Sequence, residues 1–111
     1  MAIQKSYTDI YGATHAESYT RIHSVYTNDE AATLEIHIWH NAAARSKADA
    51  SARKQPLVTE VITLMDNAYT TYFSDSALKA NTKSPAVQAY AWLKTNDSFI
   101  GADWTSGTTD V

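Results

Sequence analysis

The chain has 111 residues and a mass of 12.2 kDa; it is 44% hydrophobic and 19% charged, carries a formal charge of −3 and contains no cysteine. This length suits one domain that buries roughly two thirds of the surface its unfolded chain exposes, and the charge balance excludes both a disordered acidic tail and a strongly basic nucleic-acid binder. The missing cysteines exclude a disulfide framework, a thiol nucleophile and a zinc ribbon, while the apolar runs fall far short of the ~18 residues a membrane-spanning helix needs.

Residues 1–10 contain Lys5 and Asp9 and no signal-type apolar region, so an intracellular, soluble chain is expected. Over residues 19–26 the content of Tyr, Thr, Ile and Val predicts a strand, because β-branched and aromatic side chains suit a pleated, half-buried surface. Asn28, Asp29 and Glu30 supply a turn. In residues 33–40, Leu34, Ile36 and Ile38 alternate with Glu35, His37 and Trp39, the period of two that sends one set inward and the other outward. The short connection makes these two strands an antiparallel hairpin, since a parallel crossover needs about a dozen residues or more.

Residues 41–55 are rich in alanine and have good helix propensity but no large apolar side chain with which to dock, which reads as a solvated excursion closed by Pro56. Residues 57–64 form a predicted third strand with Val58, Ile62 and Leu64 on one face and Leu57 and Val61 on the other. Apolar residues on both faces suggest a central strand, or a face covered by a partner subunit. Within 66–83, residues 69–73 read as a short strand and 76–80 as a helical turn. Ser84 and Pro85 then start a helix, Ser as the capping acceptor and Pro at the first position, where its missing N–H is harmless. It runs to about Thr95 with Ala86, Ala89, Tyr90 and Leu93 on one face and Trp92 flanking it. Asn96, Asp97 and Gly101 end the helix, and residues 105–111 read as a mobile polar tail. The expected fold is α+β, a small antiparallel β-sheet of three to four strands with one C-terminal α-helix packed on one face, in a single domain over 1–111.

Candidate chemistry is sparse. Residues three apart on a strand face opposite ways, so His37 and His40 cannot share an ion unless the strand bends or bulges, and His23 lies on the neighbouring strand. With no His-Glu-x-x-His spacing either, no metal site is expected and these histidines read as partly exposed strand residues. No Gly-x-Ser-x-Gly or Ser-x-x-Lys context marks a nucleophile. Asp29 and Glu30 fall in a turn and Glu35 and Glu60 on strands, and Gly12, Gly101 and Gly107 build no phosphate loop. The chain is therefore read as non-enzymatic, with no cofactor and no small-molecule substrate.

Two groups remain as interface candidates. Arg45, Lys47, Arg53 and Lys54 form a basic cluster diluted by Asp49; without interleaved aromatics, and in a chain of pI about 5.7, it suits an acidic protein surface better than nucleic acid. Seven Tyr, three Trp and two Phe are many for a small sheet with one helix, and Phe99, Ile100 and Trp104, beyond the helix end, are candidates for docking on a neighbour.

Two segments carry a family resemblance. The stronger is Ser84-Pro-Ala-Val-Gln-Ala-Tyr-Ala-Trp-Leu-Lys-Thr95 followed by Phe99-Ile-Gly-Ala-Asp103; the weaker comprises Tyr19-Thr-Arg-Ile22, Ala42-Ala-Ala-Arg45 and Pro56-Leu57. They resemble a family of short proteins encoded among the virion structural genes of tailed bacteriophages, whose closing signature is an Asn-Pro start, a Gln-Ala-Tyr helix ending in Leu-Lys-Thr, then Phe and a Gly-Ala turn. This chain departs from that pattern in Asn96-Asp97, where the family has Leu-Pro, in a longer excursion before Pro56 and in its tail. The resemblance implies a virion component of the tail, baseplate or neck that contacts other virion proteins, forms a homo-oligomer on the threefold or sixfold axes of such assemblies, and has no catalysis to carry over. A head decoration protein and a host-directed intracellular binding protein are the alternatives it leaves open.

Overall fold

Five antiparallel strands make one sheet: β1 (Ile3–Thr8), β2 (Thr14–Thr27), β3 (Ala32–Trp39), β4 (Val58–Leu64) and β5 (Thr109–Asp110), in the order β4-β3-β2-β1-β5. Among the described residues four helical segments accompany it, α1 (Ala42–Arg45), α2 (Asp66–Tyr72), α3 (Asp75–Asn81) and α4 (Pro85–Leu93). The computed structural model describes residues 2–45, 56–81 and 84–111, and no helix among them is long and apolar enough to cross a membrane. The fold is thus α+β with an antiparallel sheet. It has five strands rather than three or four, and its helix is neither single nor C-terminal, because β5 follows α4.

Strand β3 is central to the core. Ala32, Leu34, Ile36 and Ile38 are fully buried on the inner face and alternate with Thr33, Glu35 and His37 on the outer one, as the period of two requires. The hairpin to β2 turns through Asn28, whose side-chain carbonyl accepts from the amides of Glu30 and Ala31, both at 2.8 Å. Pairing of β2 with β3 shifts between Ile22 and Ser24: Arg21 lies opposite His37, Ile22 opposite Ile36 and Ser24 opposite Glu35, which makes His23 the extra residue of a bulge. Beyond it the phase of β2 reverses, so that Val25, opposite Leu34, also packs inward.

Strand β1 was not expected. Its hairpin to β2 is closed by Asp9, whose carboxylate accepts from the amides of Tyr11 (2.9 Å) and Ala13 (3.0 Å), with Gly12 at φ +85° taking the left-handed position. Nor is 105–111 a free tail: Thr109 and Asp110 pair with β1, and the amides of Ala2 and Val111 each donate to the other's carbonyl. Strand β4 lies at the sheet edge instead of its centre.

Helix α4 packs against β2 on the inner face. Ser84 caps it by accepting from the Val87 amide, and the Tyr90 hydroxyl accepts from the Ile22 amide at 3.0 Å. Its buried residues are Gln88, Ala89, Tyr90, Trp92 and Leu93, whereas Ala86 is exposed. The buried side is broader than the expected stripe because α2 also covers it, with Gln88 donating to the Tyr72 carbonyl at 3.1 Å, and because Phe99 meets Trp92 edge to face. Residues 69–72 are helical rather than extended, with Phe73 as the C-cap of α2. Tyr69, Tyr72 and Phe73 recur at helical spacing and point one apolar stripe at the core, with Phe73 buried and Tyr69 tied to the Asn28 carbonyl at 2.7 Å.

Candidate functional site

The outer face of β2 and β3 gathers the polar chemistry. Glu35 and His37, two apart on β3, share that face, and the bulge residue His23 joins them from β2. The Glu35 carboxylate accepts from Nε2 of His37 at 2.7 Å and lies 3.7 Å from Nε2 of His23. The two imidazoles stack, with centroids 4.5 Å apart and planes 11° from parallel. On its other side His37 meets the edge of Trp39, whose ring also lies near Tyr19 and beneath the Arg45 guanidinium at 5.6 Å. Trp39 is buried although it sits on the outer face, because α1 contacts β2 and β3 there.

A second chain of polar groups starts at the β1–β2 turn. Nε2 of His15 bonds the Asp9 carboxylate at 3.0 Å, and its Nδ1 lies 2.8 Å from Nδ1 of His40. With Nε2–H donating to Asp9, neutral His15 accepts from His40. The His15 hydrogen bond, aided by the Ala13 and Tyr11 amides, holds the Asp9 carboxyl below its ordinary pKa. Asp9 and Tyr7 also line an open cleft of about 700 Å³ between this turn, the start of β4 at 57–60, and Ile100 and Gly101. Burial, and then the nearby Asp9 charge, raises the pKa of the Tyr7 phenol. The hydrogen bonds of these histidines run to carboxylates and to each other.

The expected interface residues fare unequally. Arg45 lies over Trp39, while Lys47, Arg53 and Lys54 lie outside the described residues. Trp104 is no surface anchor: it is 0% exposed, donates from Nε1 to the Phe99 carbonyl at 2.8 Å and from its amide to Asn96 at 2.7 Å. Phe99 and Ile100 are partly buried and pack against the same core. Ile100 and Gly101, both at positive φ, form the tight turn between the paired residues Phe99 and Ala102. An isoleucine in that conformation is strained, and here the Trp104 bond to Phe99 holds the turn in place.

Sequence reasoning tested His37 against His40, its neighbour along the chain, and the two in fact serve different groups. Glu-x-His on alternate strand positions is the signal that would have found two of the trio; His23 joins them only through the bulge, which that alternation does not show. Comparison of the chain with protein-family models, with curated protein sequences and with solved structures gives no match to any of them.

Proposed function

We propose that this chain is a non-enzymatic bacteriophage virion structural or assembly protein, an adaptor or accessory subunit of the tail, baseplate or neck that associates with its own copies and with other virion proteins. The observation that carries the assembly role is strand β4. It is one edge of the sheet, it exposes Val61 to 57%, and Leu57 and Met65 stand exposed at its two ends. An edge strand presents unpaired N–H and C=O groups, and an apolar flank makes it a template for another strand. Its expected occupant is the same edge of a second copy, a self-complementary antiparallel pairing. The phage assignment is supported by the resemblance carried by Ser84 to Thr95 and Phe99 to Asp103.

Two measurements test this reading. Mass spectrometry of purified virions from a phage encoding the chain should find it at a fixed copy number; its absence from particles refutes a virion role and leaves a host-directed protein. Sedimentation at micromolar concentration should show a species heavier than 12.2 kDa that Val61→Lys returns to monomer. A wild-type monomer refutes self-association through β4.

A further inference from the structure

We infer that His23, Glu35 and His37 form a binding site for one divalent transition-metal ion of the zinc type on the outer face of the β2–β3 hairpin, an inference independent of the assembly role. Their donor atoms all lie within 4.8 Å of one another. A tetrahedral ion with bonds of ~2.0–2.2 Å holds its ligand atoms roughly 3.3–3.6 Å apart, and the Glu35 oxygen stands 2.7 Å from one imidazole nitrogen and 3.7 Å from the other. The shifts needed to close on an ion are thus on the order of 1 Å. Two imidazoles and one carboxylate suit zinc, cobalt or nickel, whereas magnesium and calcium demand oxygen ligands.

The site is partly pre-formed. His37, its side chain 12% exposed, is held between the stacked His23 ring and the edge of Trp39, and it already points Nε2 at Glu35. For an ion to take the Nε2 lone pair, the hydrogen that Nε2 shares with Glu35 has to move to Nδ1 of the same ring, so the coordinating imidazole is the tautomer protonated at Nδ1. The stacked rings aim their nitrogen lone pairs side by side rather than at one point. His23 therefore has to turn, and at 59% side-chain exposure it has the space. The open side at His23 leaves the remaining coordination position to water. Arg21, the cross-strand partner of His37, adds positive charge near this face, which disfavours weakly held ions and leaves those that imidazole binds strongly. Among the described residues this is the one group whose three donor atoms converge so closely; Asp9, His15 and His40 instead run in a chain, with the two His15 nitrogens on different partners.

The test is calorimetric titration of the full chain with Zn2+ alone, repeated with Co2+ to read its visible ligand-field bands. One ion per chain is expected. His23→Ala, a change at an exposed position whose fold is checked by circular dichroism, should weaken binding by about tenfold or more, and Glu35→Gln likewise, whereas His40→Ala changes it by less than about twofold. Absence of saturable binding up to millimolar Zn2+ overturns the inference, as does binding that survives His23→Ala or that His40→Ala weakens equally.

Discussion

Removing one oxygen atom from the core tests how α4 is fastened to the sheet. Tyr90 is buried, and its hydroxyl accepts from the amide of Ile22, 68 residues away, at 3.0 Å. Ile22 lies beside the β2 bulge and beyond the last β1–β2 pair, Ile3 with Thr20. Tyr90→Phe keeps the ring and its packing but leaves that buried amide without this acceptor, a loss of about 1–3 kcal/mol. For a chain of 111 residues this lowers the melting temperature by on the order of 5–10 °C. Tyr26→Phe, at a tyrosine 68% exposed, serves as the control and should change stability by less than ~0.5 kcal/mol. Urea unfolding followed by circular dichroism measures both, and hydrogen exchange at the Ile22 amide should accelerate in Tyr90→Phe alone. A Tyr90→Phe protein within ~0.5 kcal/mol of wild type, with Ile22 exchange unchanged, would refute the fastening. Burial of the same hydroxyl sets an alkaline limit, which the Ile22 hydrogen bond offsets only in part. Burial raises the Tyr90 pKa above its ordinary 10.0, so the unfolded chain loses this proton first and stability falls as pH rises past ~10.

Trp104→Ala should destabilise the chain by about 3–5 kcal/mol, because the side chain is fully buried and its removal opens a large cavity. Trp104→Phe should lose less, since the Phe99 carbonyl still accepts from the Ala102 amide; a Trp104→Ala protein of unchanged urea midpoint would place this residue outside the core. At low pH, Asp9 contributes stability that is fully present above its ordinary 3.8 and is lost as pH falls through its lower folded value. The stability gap between wild type and Asp9→Asn should therefore narrow in acid, and a gap constant from pH 7 to pH 2 would show that the His15 bond does not hold the charge.

Local pattern made some elements readable and tertiary context hid others. The β2–β3 hairpin and the Ser84 cap rest on signals confined to a few residues: alternation in 33–39, an Asn turn, and Ser-Pro before an apolar stripe. Residues 69–73 misled because Tyr, Thr and Phe favour strands on an isolated segment, while the core selects the helical spacing of Tyr69, Tyr72 and Phe73. Trp104 looked like a tail residue because nothing near it in sequence shows the Phe99–Ala102 turn folding back over it. Strand β5 is two residues long and exists only because β1 offers it an edge.

The polar site was hidden by the same kind of non-local fact, and one inserted residue accounts for it. Strict alternation through β2 would place Ser24 inward and Val25 outward, giving the core a hydroxyl and the surface an apolar side chain. The extra residue at 23 reverses that phase: Val25 goes inward opposite Leu34, and Ser24 faces Glu35. It also leaves His23 without a partner of its own in the ladder, and its ring lies over His37. Core packing alone therefore accounts for a bulge at this point. It does not account for a histidine there, since a mostly exposed bulge position accepts almost any polar side chain. The position of His23 beside Glu35 and His37 is the feature on which the proposed metal coordination rests.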